Sequence, residues 1–202
     1  WAGVFYKTNP RAKIVITGCC AQIDTDAFSF LPGISNIIRN EDKGRIADIL
    51  GGKSDTPYAV RSTQYEYRRF LSISDFKDHT KAFVKIQDGC DNRCSYCKVS
   101  IVRGKSRSRP SEDIVKECSA LIQNGYKEIV LTGICLGAYG RDISKDANLS
   151  KLVTELCKIK GKWRIRLSSI EPKDITGGLI AQIKSEQRLC KHIHIPFQSG
   201  DD

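Results

Sequence analysis

From residue 82 onward, short apolar segments alternate with segments whose apolar residues recur at helical spacing. The apolar segments are AFVKI at 82–86, EIVLTGI at 128–134, WRIRLSSI at 163–170 and HIHIPF at 192–197. Between them, residues 111–124 and 149–159 place their apolar side chains on one helical face. A helix between two strands returns the chain to the same end of a sheet, so this alternation is typical of parallel sheets. The sequence therefore predicts βα units in a parallel sheet or barrel.

The first 60 residues predict a separate α/β region. The β-branched segment Lys13–Thr17 and the apolar segment Ile34–Ile38 are typical of strands, and residues 41–50 predict a helix that ends at Gly51. Residues 53–80 are polar and irregular. We expect the end of an open α/β domain at 1–60, a linker at 61–80 and an incomplete (βα) barrel at 81–202. Because the chain starts at Trp1 and contains no methionine, we interpret it as a fragment cut at both ends.

Composition excludes two classes of protein. No run of about 18 apolar residues occurs, and the first residues lack a signal-peptide pattern, which predicts a cytoplasmic protein without a membrane span. The nine cysteines are an odd number at uneven spacing, so metal binding or packing is favoured over a disulfide scaffold. The net charge of +10 is concentrated at residues 61–110, which contain twelve lysines and arginines and only five acidic residues. An anionic partner near this region is therefore favoured.

Three cysteines follow the first barrel strand at a spacing that suits a metal cluster. Cys90, Cys94 and Cys97 lie in the segment GCDNRCSYC, directly after the strand predicted at 82–86. Loops at the carboxyl ends of barrel strands carry the chemistry of such folds. Three thiolates can each bind one iron of a 4Fe-4S cluster and leave the fourth iron open for an outside ligand. The alternatives are a zinc site, although no fourth ligand follows at suitable spacing, and a chance cluster of cysteines.

The wider sequence resembles a known family. The triad with Tyr96 before its last cysteine is similar to the signature of the radical S-adenosylmethionine (SAM) superfamily. The segment VKIQDGCDNRCSYCKVSIVRGKSRSRP resembles the methylthiotransferases within that superfamily, especially the branch that acts on N6-threonylcarbamoyladenosine of tRNA. Four more segments resemble the same family in the same order: ITGCCAQ, EIVLTGICLGAYGRD, RIRLSSIEP and HIHIPFQSGDD.

The resemblance implies a cofactor site. The cluster on Cys90, Cys94 and Cys97 would bind SAM through its open iron, and reduction would cleave SAM to a 5′-deoxyadenosyl radical that abstracts hydrogen from the substrate. The electron donor would be a flavodoxin or ferredoxin. The residues that would contact SAM are Tyr96, Thr132, Gly133, Ser169 and Glu171. For each of the last four, an ordinary structural role at a strand end is an equal alternative.

Two further features follow from the resemblance. Family members hold a second 4Fe-4S cluster with three cysteines of the amino-terminal domain, and Cys19 matches the last of these. The other two ligands are missing here, so the fragment is expected to lack that cluster and to be inactive alone. The basic run Arg103, Lys105, Arg107 and Arg109 suits phosphate contact with the tRNA anticodon loop, or else remains solvated.

Three functions stay open at this point. The favoured one is a transferase that adds a methylthio group to N6-threonylcarbamoyladenosine at position 37 of tRNA. The second keeps the chemistry but takes an aspartate of a ribosomal protein as the acceptor. The third is a non-catalytic zinc module that binds nucleic acid, suggested by the positive charge around the cysteines.

Overall fold

A computed structural model describes residues 7–24, 26–28, 30–51, 72 and 80–200. The chain divides into two compact units. The first comprises Trp1–Leu71 with Arg93–Gly104, and the second comprises Ser72–Asn92 with Lys105–Asp202. The linker predicted at 61–80 lies outside the described residues except for Ser72 and Thr80, so the predicted domain limits stay a prediction.

The first unit contains a small parallel sheet. Strand β1 (Ile14–Thr17) pairs in parallel with β2 (Ile34–Ile38), in agreement with both predicted strands. Gly18 ends β1 with φ 127°, a conformation that favours glycine, and helix α1 (Cys19–Ile23) begins directly after it. The helix predicted at 41–50 is only partly correct, because a 3₁₀ helix (Asn40–Arg45) precedes a single α-helical turn, α2 (Ile46–Ile49). Helix α3 (Val99–Arg103) contacts α1 in this unit.

The second unit is built on a three-stranded parallel sheet. Strands β3 (Lys81–Lys85), β6 (Glu128–Thr132) and β7 (Arg164–Leu167) are neighbours in chain order, and Lys81 pairs with Glu128, which pairs with Arg164. Helix α4 (Ser111–Gln123) connects β3 to β6, and α5 (Leu149–Cys157) connects β6 to β7. The predicted α/β class with a parallel sheet is confirmed.

The core of this unit lies between the sheet and its helices. Completely buried side chains come from all three strands and both connecting helices. They include Val84, Ile129, Ile165, Leu121 and Leu156. Burying a side chain of this size contributes roughly 1.5–3 kcal/mol, so the packing of α4 and α5 against the sheet dominates the stability of the unit. The buried Cys118 belongs to this core, as its position on the apolar face of α4 predicts.

One local prediction is wrong, and two features of this unit were not predicted. Residues 192–197 do not form a strand; their contact with the sheet is an isolated bridge between His194 and Ser169. A short antiparallel pair, β4 (Gln87–Asp88) with β5 (Arg107–Ser108), and a helix, α6 (Gly177–Ser185), were not predicted. Helix α6 begins with two glycines, which are typical of loops, but the Thr176 side chain caps it by accepting from Leu179 N. Among the described residues, no helix is long and apolar enough to cross a membrane.

Candidate active site

The candidate site of the second unit lies at one edge of the parallel sheet. Strands β3, β6 and β7 run in the same direction and end at Lys85, Thr132 and Leu167. The segments that follow them, 86–92, 133–142 and 168–174, therefore leave the sheet at the same edge. In parallel α/β folds, ligands bind beyond the carboxyl ends of the strands.

The segment that carries the cysteine triad is fixed at both of its ends. Gln87 and Asp88 precede it in β4 and pair with Ser108 and Arg107 of β5. The backbone N–H of Arg109 also donates to Ile86 O at 2.8 Å. These bonds fix the two ends of segment 89–106 at the edge of the sheet.

The three cysteines of the triad have accessible thiols. Cys94 is exposed, and Cys90 and Cys97 are partly exposed. Cys90 belongs to the second unit and the other two to the first, where Cys97 N donates to Cys94 O at 3.1 Å and closes a turn. Soft, accessible thiols are the donors that iron–sulfur clusters use, so this donor set fits such a group.

Other cysteines of the chain have a different environment. Burial raises the pKa of the Cys118 thiol to about 12, and Glu117 adds to that effect. Burial also raises the pKa of Cys135 to about 12 and that of Cys157 to about 11, with carboxylates adding to both shifts. A raised pKa disfavours the thiolate form in which cluster ligands bind, so these three thiols are poorly suited to that role.

Asn92 connects the cysteine segment to the loop after β7. Its side-chain amide donates to both carboxylate oxygens of Glu171, at 3.1 and 3.0 Å. Lys173 Nζ donates to the amide oxygen of Asn92 at 2.5 Å and lies 3.5 Å from Glu171 Oε2. The carboxylate of Glu171 is therefore held in a fixed orientation by a residue that lies two positions after Cys90.

Cys135, Glu171 and Asp174 form a second group of possible ligands. Their thiol and carboxylate atoms lie within 4.8 Å of one another. Both carboxylates already have cationic partners: Asp174 accepts from Arg141 Nη2 at 2.6 Å, and Glu171 lies beside Lys173. These cations supply the charge compensation that a metal would otherwise give, so we assign no metal here. A cavity of about 140 Å³ adjoins the group and is also lined by Asp91, Asn92, Ser106 and Asp142.

Three of the other predicted SAM contacts lie at the same edge of the sheet: Thr132, Gly133 and Ser169. Thr132 ends β6, and its hydroxyl donates to Val84 O at 3.3 Å. Gly133 lies against the side chain of Gln87, where a Cβ would come within 3.0 Å of Gln87 Oε1. Ser169 Oγ is 3.0 Å from His194 Nδ1. Tyr96 lies in the first unit and is 65% exposed.

The basic run divides into accessible and buried side chains. Lys105 and Arg107 are exposed, and Arg103 is partly exposed at the end of α3. Arg109 is only 5% exposed, forms an ion pair with Glu117 and donates to Ser72 Oγ at 3.0 Å. The Arg109 guanidinium therefore already has partners within the second unit, and a contact between Arg109 and RNA stays a prediction. Arg107 lies in β5, whereas Arg109 lies just beyond its end, where the chain turns into α4.

Comparison with known proteins decides the family. The model of the Radical SAM superfamily matches residues 84–202, which contain the triad, the end of β3 and the whole of strands β6 and β7. The chain belongs to the radical SAM superfamily. The parallel sheet of the second unit is consistent with part of the (βα) barrel of this superfamily. Membership implies a 4Fe-4S cluster and SAM as the general cofactors of the fold.

Several similar curated proteins are named tRNA methylthiotransferases, which confirms the resemblance seen in the sequence. The threonylcarbamoyladenosine tRNA methylthiotransferases of Thermotoga maritima and Bacillus subtilis are 37% and 36% identical to the chain, over 96% and 97% of it. The tRNA-2-methylthio-N(6)-dimethylallyladenosine synthase of Clostridium perfringens is 44% identical over 96% of the chain. The chain spans 44% of the length of each of these three proteins.

Several residues of this candidate site were not predicted from the sequence. They are Gln87, Asn92, Cys135 and Asp174. A signal existed for two of them: Gln87 is a polar residue directly after the apolar run AFVKI, and Asn92 lies between two predicted ligands. Asp174 packs against Gly137, where a Cβ on Gly137 would stand 2.3 Å from the Asp174 Cβ. The local sequence around Asp174 gives no sign of this contact.

Proposed function

We propose that the chain is the catalytic part of a tRNA methylthiotransferase, which transfers a methylthio group to N6-threonylcarbamoyladenosine at position 37. The observation that carries this proposal is the set of three accessible thiols, of which Cys90 follows the carboxyl end of β3. Similarity to tRNA methylthiotransferases over nearly the whole chain supports it. The tRNA anticodon loop would be the substrate, a flavodoxin or ferredoxin the electron donor, and the cytoplasm the location.

In this proposal Cys90, Cys94 and Cys97 hold a 4Fe-4S cluster. When bound, the cluster and SAM supply the one-electron chemistry of the reaction. The chain positions the cofactor: Glu171 is oriented by Asn92, and Thr132 and Gly133 form the corner at the end of β6. Tyr96 and Ser169 complete the proposed SAM contacts. Fixed polar groups of this kind hold a ligand without reorganisation when the reaction takes place.

Cys19 would ligate a second cluster. It is exposed and begins helix α1 directly after β1, at the carboxyl end of a parallel strand. Such a position suits a ligand, and the exposed thiol of Cys20 lies next to it. One thiolate cannot hold a cubane, so two more ligands from the full-length protein are required. The proposed domains are 1–60, which would carry this cluster, a linker at 61–80 and the radical SAM core at 81–202.

Arg103, Lys105 and Arg107 are the proposed contacts to tRNA phosphates. In a plot of the logarithm of the binding constant against the logarithm of the salt concentration, each phosphate contact makes the negative slope steeper by roughly 0.7–0.9. Replacing Lys105 and Arg107 by alanine in the full-length enzyme should therefore weaken tRNA binding and reduce that slope. An unchanged slope would exclude them as phosphate contacts.

The decisive experiment is nucleoside mass spectrometry of tRNA from a strain that lacks the full-length gene. The proposal expects loss of the methylthio form of threonylcarbamoyladenosine and its return when the gene is restored. Loss of methylthio-dimethylallyladenosine instead would make dimethylallyladenosine of tRNA the acceptor, an alternative that the 44% identity to the Clostridium perfringens synthase supports. An unchanged profile of both would point to a ribosomal-protein aspartate. Stoichiometric zinc without iron or sulfide would favour a non-catalytic zinc module.

A further inference from the structure

Gln87 is a completely buried polar residue at the point where the chain leaves the sheet for the cysteine segment. Its exposed fraction is 0%. The side-chain NH₂ group donates to Gly89 O at 2.8 Å, to Ser106 Oγ at 2.9 Å and to Asp88 O at 3.1 Å. Gly89 immediately precedes Cys90, and Ser106 lies where the segment returns to β5. One carboxamide therefore connects the beginning and the end of the segment.

The other end of the same carboxamide contacts the loop after β6. Gln87 Oε1 accepts from the backbone N–H of Cys135 at 2.8 Å. A Cβ on Gly133 would stand 3.0 Å from Gln87 Oε1 and 3.1 Å from Gln87 Cβ, so Gly133 leaves room for this side chain. The partners also fix the orientation of the amide, because a backbone N–H must face its oxygen and backbone carbonyls must face its NH₂ group.

We infer that Gln87 is a positioning residue, which sets Cys90 relative to the Thr132–Gly133 corner and so makes the SAM site competent to bind. The inference rests on the proposed function. A residue that only fills space would not need hydrogen-bond partners on both loops. An apolar side chain of similar volume would replace it with little loss of SAM affinity. Gln87 instead contacts a loop that carries a proposed cluster ligand and a loop that carries two proposed SAM contacts.

Two substitutions separate these roles. Gln87→Leu keeps the volume of the side chain and removes every polar contact. Gln87→Glu keeps an acceptor for Cys135 N but directs carboxylate oxygens at the carbonyls of Asp88 and Gly89, which repel them. Gln182→Leu is the matched control: Gln182 Nε2 also donates to two partners, Ser150 O at 3.0 Å and Thr154 Oγ1 at 2.9 Å, but it links α6 to α5.

The experiment uses the full-length enzyme, reconstituted anaerobically. Iron and sulfide per chain, the dissociation constant for SAM and the change in the electron paramagnetic resonance spectrum of the reduced cluster on SAM addition are measured for each variant. We expect Gln87→Leu and Gln87→Glu to retain the cluster, because all three thiols remain, and to raise the dissociation constant about tenfold or more, as losing one good hydrogen bond would. The spectral change should be reduced. Gln182→Leu should behave as wild type.

A Gln87→Leu variant that contains the cluster and matches wild type in SAM affinity and spectral change overturns the inference. If that variant does not fold, Ser106→Ala decides, since it removes one acceptor of the Gln87 amide: a two- to fivefold weaker SAM affinity supports the inference and wild-type affinity overturns it. The proposed function fails separately. Wild-type enzyme that binds SAM but modifies no tRNA would refute the methylthiotransferase proposal and leave the role of Gln87 intact.

Discussion

Asn92, two residues after Cys90, holds the carboxylate of Glu171 through two hydrogen bonds of 3.0 and 3.1 Å. The two residues are 79 positions apart in the chain, so this pair joins the cysteine segment to the loop after β7. Lys173 donates to the oxygen of the same amide at 2.5 Å. A neutral amide is suited to this place, because it offers donors to the carboxylate and an acceptor to the ammonium group.

The first prediction concerns Asn92→Asp. The substitution replaces two N–H donors by a carboxylate oxygen that faces Glu171, so we expect the free energy of unfolding at pH 7 to fall by about 1–3 kcal/mol. SAM affinity of the reconstituted enzyme should fall with it. Urea unfolding and SAM titration measure the two effects. Asn148→Asp is the control, because Asn148 caps α5 by accepting from Lys151 N and aspartate caps equally well. Equal stabilities of the two variants would contradict the prediction.

The second prediction compares two cysteines. Cys94→Ala should abolish cluster binding, since the two remaining thiolates cannot hold a cubane. Cys118→Ala should leave iron and sulfide per chain unchanged and lower the free energy of unfolding by about 1 kcal/mol, because it removes a small buried group. Iron and sulfide analysis with the brown absorbance of the cluster measures the first effect, and urea unfolding the second. Full iron content in Cys94→Ala would exclude Cys94 as a ligand.

The sequence predicts the sheet of the second unit better than it predicts the polar contacts of the site. Strand β6 is recognisable because buried parallel strands are nearly continuous apolar runs, and it is buried at Glu128 through Leu131, whereas in β3 only Ala82 and Val84 are fully buried. Residues 192–197 show the same apolar pattern, but a pattern cannot specify a partner, and His194 forms only an isolated bridge. The contacts of Gln87 and Asn92 depend on how loops separated by tens of residues meet, which no local pattern encodes.

The third prediction concerns the buried ion pair between Arg109 and Glu117. Both side chains are 6% exposed. Glu117→Leu leaves the guanidinium without its partner and should lower the free energy of unfolding by about 3–5 kcal/mol. The double variant with Arg109→Met should regain most of that loss, because it removes the unpaired charge. Arg107→Ala, on an exposed side chain, should change stability by about 0.5 kcal/mol or less. Urea unfolding checks all three, and a double variant no more stable than Glu117→Leu would contradict this account.

The last prediction concerns the pH dependence of stability through Glu128. Its carboxylate is 3% exposed and accepts from Arg166 Nε at 2.7 Å and Arg164 Nε at 2.5 Å, with Lys81 Nζ 3.5 Å away. The Arg166 hydrogen bond lowers the pKa of Glu128 from 4.5 to about 2, against the opposing effect of burial and with help from Arg164.

A lowered pKa in the folded state stabilises the protein above the unfolded pKa, and this contribution is lost as the pH falls towards the folded pKa. The difference in unfolding free energy between wild type and Glu128→Gln should therefore be constant above about pH 5, at about 1–3 kcal/mol, and should shrink between about pH 4.5 and 2. Urea unfolding of the cluster-free chains measures this difference. The contributions of the other carboxylates to the pH dependence are the same in both chains and cancel. A difference that does not change between pH 5 and 2 would show that the arginines do not stabilise the charged form of Glu128.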